Sequence, residues 1–117
     1  MPIAFEVREA GRTLVIAASG PIVYGPESQL LREQVKKSLE HSRSLVLDLK
    51  HVPYVDSGGL GAVIACLTSA RAAGGDLRLC GLTERVRHVL TITRLMGIFE
   101  IYASAEEAIA AAAHAAA

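Results

Sequence analysis

The apolar residues of this chain switch their spacing from two to three-and-four and back several times, and glycine or proline marks most of the switches. Ile3, Phe5 and Val7 alternate with Ala4, Glu6 and Arg8, the period of a strand with one buried face. A turn through Glu9-Ala10-Gly11-Arg12 leads to Thr13-Leu14-Val15-Ile16-Ala17, a more fully buried strand, so the two runs read as a hairpin. Gly20-Pro21 ends it, and Gly25-Pro26 opens a helix with proline at the first helical position, where its missing N–H costs nothing. Leu31, Val35 and Leu39 recur at helical spacing beside Leu30, with Arg32, Glu33, Lys36 and Lys37 on the wet side. The run Ser44-Leu45-Val46-Leu47-Asp48-Leu49 is a third strand, and Tyr54-Val55 leads from it into Asp56-Ser57-Gly58-Gly59. Leu60, Ile64 and Leu67 then form a helical stripe among small residues, and Gly74-Gly75 stops that helix. Residues 76–80 are a fourth strand. Thr83 caps a helix carrying Val86, Val89 and Leu90 and expected to end near Gly97, and residues 98–102 alternate as a fifth strand. Ser104-Ala105-Glu106-Glu107 is a capping box that opens an alanine-rich helix, expected to fray from about residue 112.

The order β-β-α-β-α-β-α-β-α predicts an α/β fold. Residues 1–117 form one domain, with a mixed sheet of about five strands, an antiparallel hairpin at its start and four helices packed on it. The carboxyl ends of parallel strands then lie along one edge, where sites form in such folds. Just over half of the residues are hydrophobic, 51%, enough for a core without disulfide or metal staples. Twelve basic residues against twelve acidic ones leave no net charge. That argues against nucleic acid as the main partner and fits a life spent bound to protein. Cys66 and Cys80 each sit in an apolar run, with no CxxC pair and no close histidine, so they read as reduced core thiols and not as metal ligands. The N-terminus has no basic region followed by an apolar stretch, and no run approaches the ~20 apolar residues of a bilayer span. The expectation is a cytoplasmic protein without cofactor.

One segment concentrates the chemistry. A buried strand runs through a short loop to Asp56-Ser57 and then to two glycines at a helix start. Gly58 and Gly59 remove side chains from the first turn, so free amides and the helix dipole would favour a phosphoryl group there. The alternative is that Asp56 or Ser57 only caps the helix. Glycine in a first helical turn improves no cap, however, and points to something that needs close access to the backbone.

On these residues the chain resembles STAS domains, in particular the bacterial anti-sigma factor antagonists. Residues 45–61 are similar to their core pattern of a hydrophobic strand ending in Asp-Leu, followed by Asp-Ser-(Ser/Gly)-Gly-Leu-Gly. The likeness continues through Gly74-Gly75-Asp76-Leu77-Arg78-Leu79, and through Val86, Leu90, Leu95 and Gly97-Ile98-Phe99. The resemblance implies that Ser57 is phosphorylated by a partner that is both serine kinase and anti-sigma factor, with Asp56, Gly58 and Gly59 around it. It implies that the unphosphorylated protein binds this partner and releases a sigma factor, and that a phosphatase resets Ser57. Gly58 stands where many members have a second serine. Val23, in Gly20-Pro21-Ile22-Val23, stands where the family usually carries an aspartate that meets the kinase. That departure leaves open two other roles in the family, a subunit of a lipid-transport ABC system and a component of a stress-signalling scaffold. The partner surface is expected to include Tyr24, Tyr54, Val55, Ser57 and Leu60, and a homodimer is also open.

Other chemistries fit less well. A nucleophilic Ser57 would need a base, and His41, His51, His88 and His114 all read as surface histidines with no spacing that brings them to it. Asp56 lacks the acidic companions that hold Mg²⁺ beside a phosphoryl acceptor. Gly58-Gly59-Leu60-Gly61 lacks the Lys-Ser/Thr ending of a P-loop, so a weak nucleotide site is open only as a matter for titration. The chain is expected not to be an enzyme.

Overall fold

A computed structural model describes residues 3–116. Its five strands are β1 (Ala4–Ala10), β2 (Thr13–Ser19), β3 (Ser44–His51), β4 (Asp76–Cys80) and β5 (Ile101–Tyr102). They lie side by side in chain order, β1 antiparallel to β2 and the other neighbours parallel. The helices are α1 (Pro26–Leu39), α2 (Ser57–Ala72), α3 (Glu84–Ile92) and α4 (Ala105–Ala116). The expected order, the opening hairpin and the mixed sheet are all present. The hairpin turn is tighter than expected, because Ala10 already pairs with Thr13 across Gly11-Arg12, with Gly11 at φ 63°.

Alternation in the strands divides the sheet into two unlike faces. Leu14, Ile16, Leu45, Leu47, Leu77 and Leu79 point to one side and pack with Leu31, Val35, Leu60, Val63, Leu67, Val86 and Leu90 of the first three helices. The other side shows Val15, Val46 and Cys80, and α4 lies against it through Ala105 and Ala108. Small residues let this helix sit close, and Ala112 is buried near its far end. The helix expected to fray from about residue 112 runs on to Ala116. Beside it Arg78 is buried and donates from Nε to Glu100 Oε1 at 3.2 Å, and Glu100 also accepts from the Tyr102 hydroxyl at 2.7 Å. Cys66 and Cys80 are free and buried, as the sequence suggests. Burial pushes both thiols up to about 12.

Two boundaries differ from the sequence reading. The third helix stops at Ile92, not near Gly97, because Arg94 takes a left-handed conformation (φ 61°) that turns the chain. Leu95 N–H then reaches back to the Leu90 carbonyl at 2.8 Å and Arg94 N–H to Thr91 at 3.1 Å, the double closure that usually carries glycine. The fifth strand is only Ile101–Tyr102, since Met96–Ile98 form a 3-10 turn that drops Phe99 into the core. At the end of α2 the expected glycine stop is present, with Gly74 at φ 84° and Gly75 N–H bonded to the Ala70 carbonyl at 2.9 Å.

Candidate functional site

The parallel strands β2 to β5 deliver their connections to one edge of the sheet. The loop after β2, residues 20–25, and the loop after β3, residues 52–56, lie side by side there and pair like a further rung of sheet. Ile22 and Val55 form a parallel bridge, Ile22 N–H donates to the Tyr54 carbonyl at 3.2 Å, and Asp56 N–H donates to the Ile22 carbonyl at 3.3 Å. Ile22 is fully buried beneath this contact and anchors it.

Asp56 is the residue at which these loops and α2 meet. Its backbone is extended (φ −98°, ψ −176°), and its Oδ1 accepts the Gly59 N–H at 2.7 Å, the geometry of a helix N-cap. The same carboxylate accepts the Tyr24 N–H, at 3.0 Å to Oδ1 and 3.1 Å to Oδ2. Amide donors favour the charged form, so the bonds from Gly59 and then Tyr24 hold its pKa below the usual carboxylate range. Asp56 is therefore both a cap and the clasp of the preceding loop.

That settles the choice the sequence left between Asp56 and Ser57 as the cap. Ser57 is the first residue of α2 and exposed, and among the described residues its hydroxyl has no hydrogen-bond partner within the chain. The glycines have a different reason from the one expected. Gly59 N–H is taken by Asp56, and the first turn is roofed by the 22–24 segment, so the amides are not left unshielded. A Cβ at Gly59 would fall on the Ile22 carbonyl oxygen, and one at Gly58 would meet Tyr24 Cβ at 2.5 Å. The double glycine is what lets a loop lie across the helix start.

Around Ser57 the surface is partly aromatic. Tyr24 is 82% exposed and flanks a shallow groove shared with Gly25, Gln29, Arg32 and Gly58. On the other flank Tyr54 is exposed and carries the Arg85 guanidinium over its ring, 4.7 Å from the centroid. Tyr24, Asp56, Ser57, Gly58 and Gly59 thus lie together at the start of α2, with Tyr54 in the loop that leads into it. Two expected contact residues do not join them. Val55 and Leu60 are 6% and 8% exposed and belong to the core, because the Ile22 bridge covers the first and α2 turns the second inward. Val23 is half-buried, and its carbonyl accepts the Ser28 N–H at 3.1 Å at the start of α1. Sequence reasoning missed the clasp from Asp56 to Tyr24, a bond across thirty-two positions. Its only signal was the pair of glycines. It also missed Arg85, whose stacking on Tyr54 depends on how α3 approaches the loop. His41, His51, His88 and His114 are all exposed. No group of three or more metal-binding side chains occurs among the described residues, and none of their helices is long and apolar enough to cross a membrane.

Comparison with known proteins agrees with this architecture. The family model described as "STAS domain" matches residues 4–108. The anti-sigma-B factor antagonist of Bacillus subtilis is 33% identical over 107 residues, covering 91% of this chain and 96% of that protein. Among solved structures, an anti-sigma factor antagonist from Mycobacterium paratuberculosis superposes with a TM-score of 0.79 at 20% identity, over 94% of this chain and 93% of that one. The Bacillus cell fate determinant SpoIIAA in its phosphorylated form does so with a TM-score of 0.70 at 23% identity, over 91% and 96%.

Proposed function

The chain belongs to the STAS-domain family, and we propose that it is a cytoplasmic anti-sigma factor antagonist, a binding protein and not an enzyme, whose engagement is switched off by phosphorylation of Ser57. The observation that carries the reading is the division of labour at the start of α2. Asp56 supplies the cap and the clasp, and the Ser57 hydroxyl beside it is exposed and unengaged among the described residues. The names of the relatives support the sigma-factor role over the transporter and scaffold roles. The partner is an anti-sigma factor with serine kinase activity, and a phosphatase restores the hydroxyl. It docks over Ser57, Tyr24 and Tyr54, with Val55 and Leu60 holding the surface from beneath.

The switch follows from charge. Phosphate on Ser57 adds about −1.5 to −2, and the amino end of α2 tolerates it, a gain on the order of 0.3–1 kcal/mol. Under a docked partner the same group sits next to an Asp56 already held ionised. An unpaired charge buried in that way costs roughly 3–5 kcal/mol, about a hundred- to a few-thousand-fold in affinity. The larger figure decides the outcome: the fold survives and the partner leaves.

The test is affinity capture from native lysate with wild type and Ser57→Asp, followed by mass spectrometry of the retained proteins and of Ser57 itself. Wild type is expected to retain an ATP-binding kinase that also binds a sigma factor, and Ser57→Asp, folded to the same melting temperature, to lose it. Equal retention of one partner by both variants would sink the switch.

A further inference from the structure

The sheet has two edges, and they are unlike. β5 ends it with two residues, whereas β1 ends it with seven. Ala10 pairs with Thr13 across a two-residue turn, so Ala10, Arg8, Glu6 and Ala4 direct their N–H and C=O groups at β2. Phe5, Val7 and Glu9 direct theirs outward, and no loop among the described residues bonds to them there. Charged residues on an edge ordinarily keep other strands away. Here their order does the reverse in one register.

We propose that two copies of this chain join through β1, antiparallel, about a two-fold axis at Val7. That register places Val7 opposite Val7 and Phe5 opposite Glu9, and each of these outward pairs exchanges two backbone hydrogen bonds. Between them, in the positions where facing side chains come closest, Glu6 lies opposite Arg8 twice. Shifting the axis by one residue puts Glu6 on Glu6 or Arg8 on Arg8, and an axis at Glu9 opposes two Glu9 side chains. An axis at Phe5 shortens the overlap. Only the Val7 register combines opposite charges with the outward bonding row. It also covers an exposed apolar side chain, since Val7 is 43% accessible. Among the described residues Arg8 is tied only by an exposed contact to Glu106, 3.6 Å long, which is weak and leaves its guanidinium able to receive the second copy's Glu6. The two sheets become one ten-stranded sheet, and the loops that carry Ser57 stay outside the joint.

Sedimentation equilibrium from about 5 to about 500 µM tests this, the range suited to so small an interface. Wild type is expected to dimerise with a micromolar constant. Glu6→Arg alone and Arg8→Glu alone oppose like charges at both symmetric positions, and each weakens the dimer at least ~tenfold. The double variant Glu6→Arg/Arg8→Glu restores opposite charges and returns to within about threefold of wild type. Val7→Pro deletes an N–H that the β1–β2 ladder does not use, so it gives a monomer with an almost unchanged melting temperature. A wild type that stays monomeric throughout overturns the proposal. So does a dimer indifferent to the single swaps, a double variant that stays weak, or association that survives Val7→Pro.

Discussion

Two helices of this molecule begin with a serine and an acidic residue, and the pairs are used in opposite ways. At the start of α4, Ser104 Oγ accepts the Glu107 N–H at 3.2 Å and the Glu107 carboxylate accepts the Ala103 N–H at 3.1 Å. Everything there is consumed within five residues, one position off the expected capping box, which would have bonded the Ser104 N–H. At the start of α2 the aspartate does all the structural work, on Gly59 within the helix and on Tyr24 across the fold. The serine next to it is left over. A serine that caps a helix cannot be modified without loss of the cap. A serine beside an acidic cap can, and that distinguishes Ser57 from Ser104.

The hardest blow to this contrast is a substitution that leaves both serines alone. Gly59→Ala sets a methyl group against the Ile22 carbonyl, and backbone cannot yield as a side chain tip can. The expected destabilisation is about 3 kcal/mol, the upper range for overpacking, measured by urea unfolding. A cost below about 1 kcal/mol would mean that the 22–24 segment does not lie tightly on α2.

Asp56→Ala comes next. It removes the cap, worth about 0.5–2 kcal/mol, together with the clasp on Tyr24, so the expected loss is about 2 kcal/mol. The folded pKa of Asp56 is depressed. Its contribution is therefore complete above the unfolded carboxylate value of about 3.9 and disappears as pH falls through the lower folded value. The gap between wild type and Asp56→Ala should be widest near neutrality and shrink steadily below about pH 4, as read from unfolding midpoints over a pH series. A gap that grew with acid would reverse the assigned sign. Ser104→Ala is expected to cost less, about 1 kcal/mol, and to leave the 20–25 loop untouched in amide exchange.

Much of this was legible in the residues. Period-two and period-3.6 runs gave each element its kind, and Gly74-Gly75, Gly25-Pro26 and Thr83 marked true boundaries because their backbone chemistry is local. The failures were at places where the deciding interaction is not local. Arg94 in a left-handed turn carries no sequence mark of the kind glycine gives, so α3 ended early and the fifth strand shrank. Val55 and Leu60 flank the Asp-Ser-Gly-Gly run, and their burial follows from how that run is placed, Val55 beneath the bridge from Ile22 and Leu60 on the inward face of α2. The placement of α4 on the opposite face could be read in part, because Ala105, Ala108 and Ala112 repeat at helical spacing, but the alanines did not say which face they would meet. In the site, Asp56 and Ser57 were identified together and could not be told apart until the hydrogen bonds assigned the cap to one of them.

Ser57→Ala is the smallest effect and the sharpest test of that assignment. An exposed hydroxyl at the first helical position with no partner among the described residues contributes almost nothing to stability, so the change should stay within about 0.5 kcal/mol. Ser104→Ala, chemically the same substitution at a serine three residues before its own glutamate, should cost about twice that or more. The comparison is therefore between two identical side-chain truncations in one protein, measured under one set of unfolding conditions. If the two cost the same, Ser57 carries a structural duty after all, and its modification would disturb the fold as well as the surface. If only Ser104 matters, the hydroxyl of Ser57 is free of the fold, and any loss of binding on phosphorylation is an event at the surface.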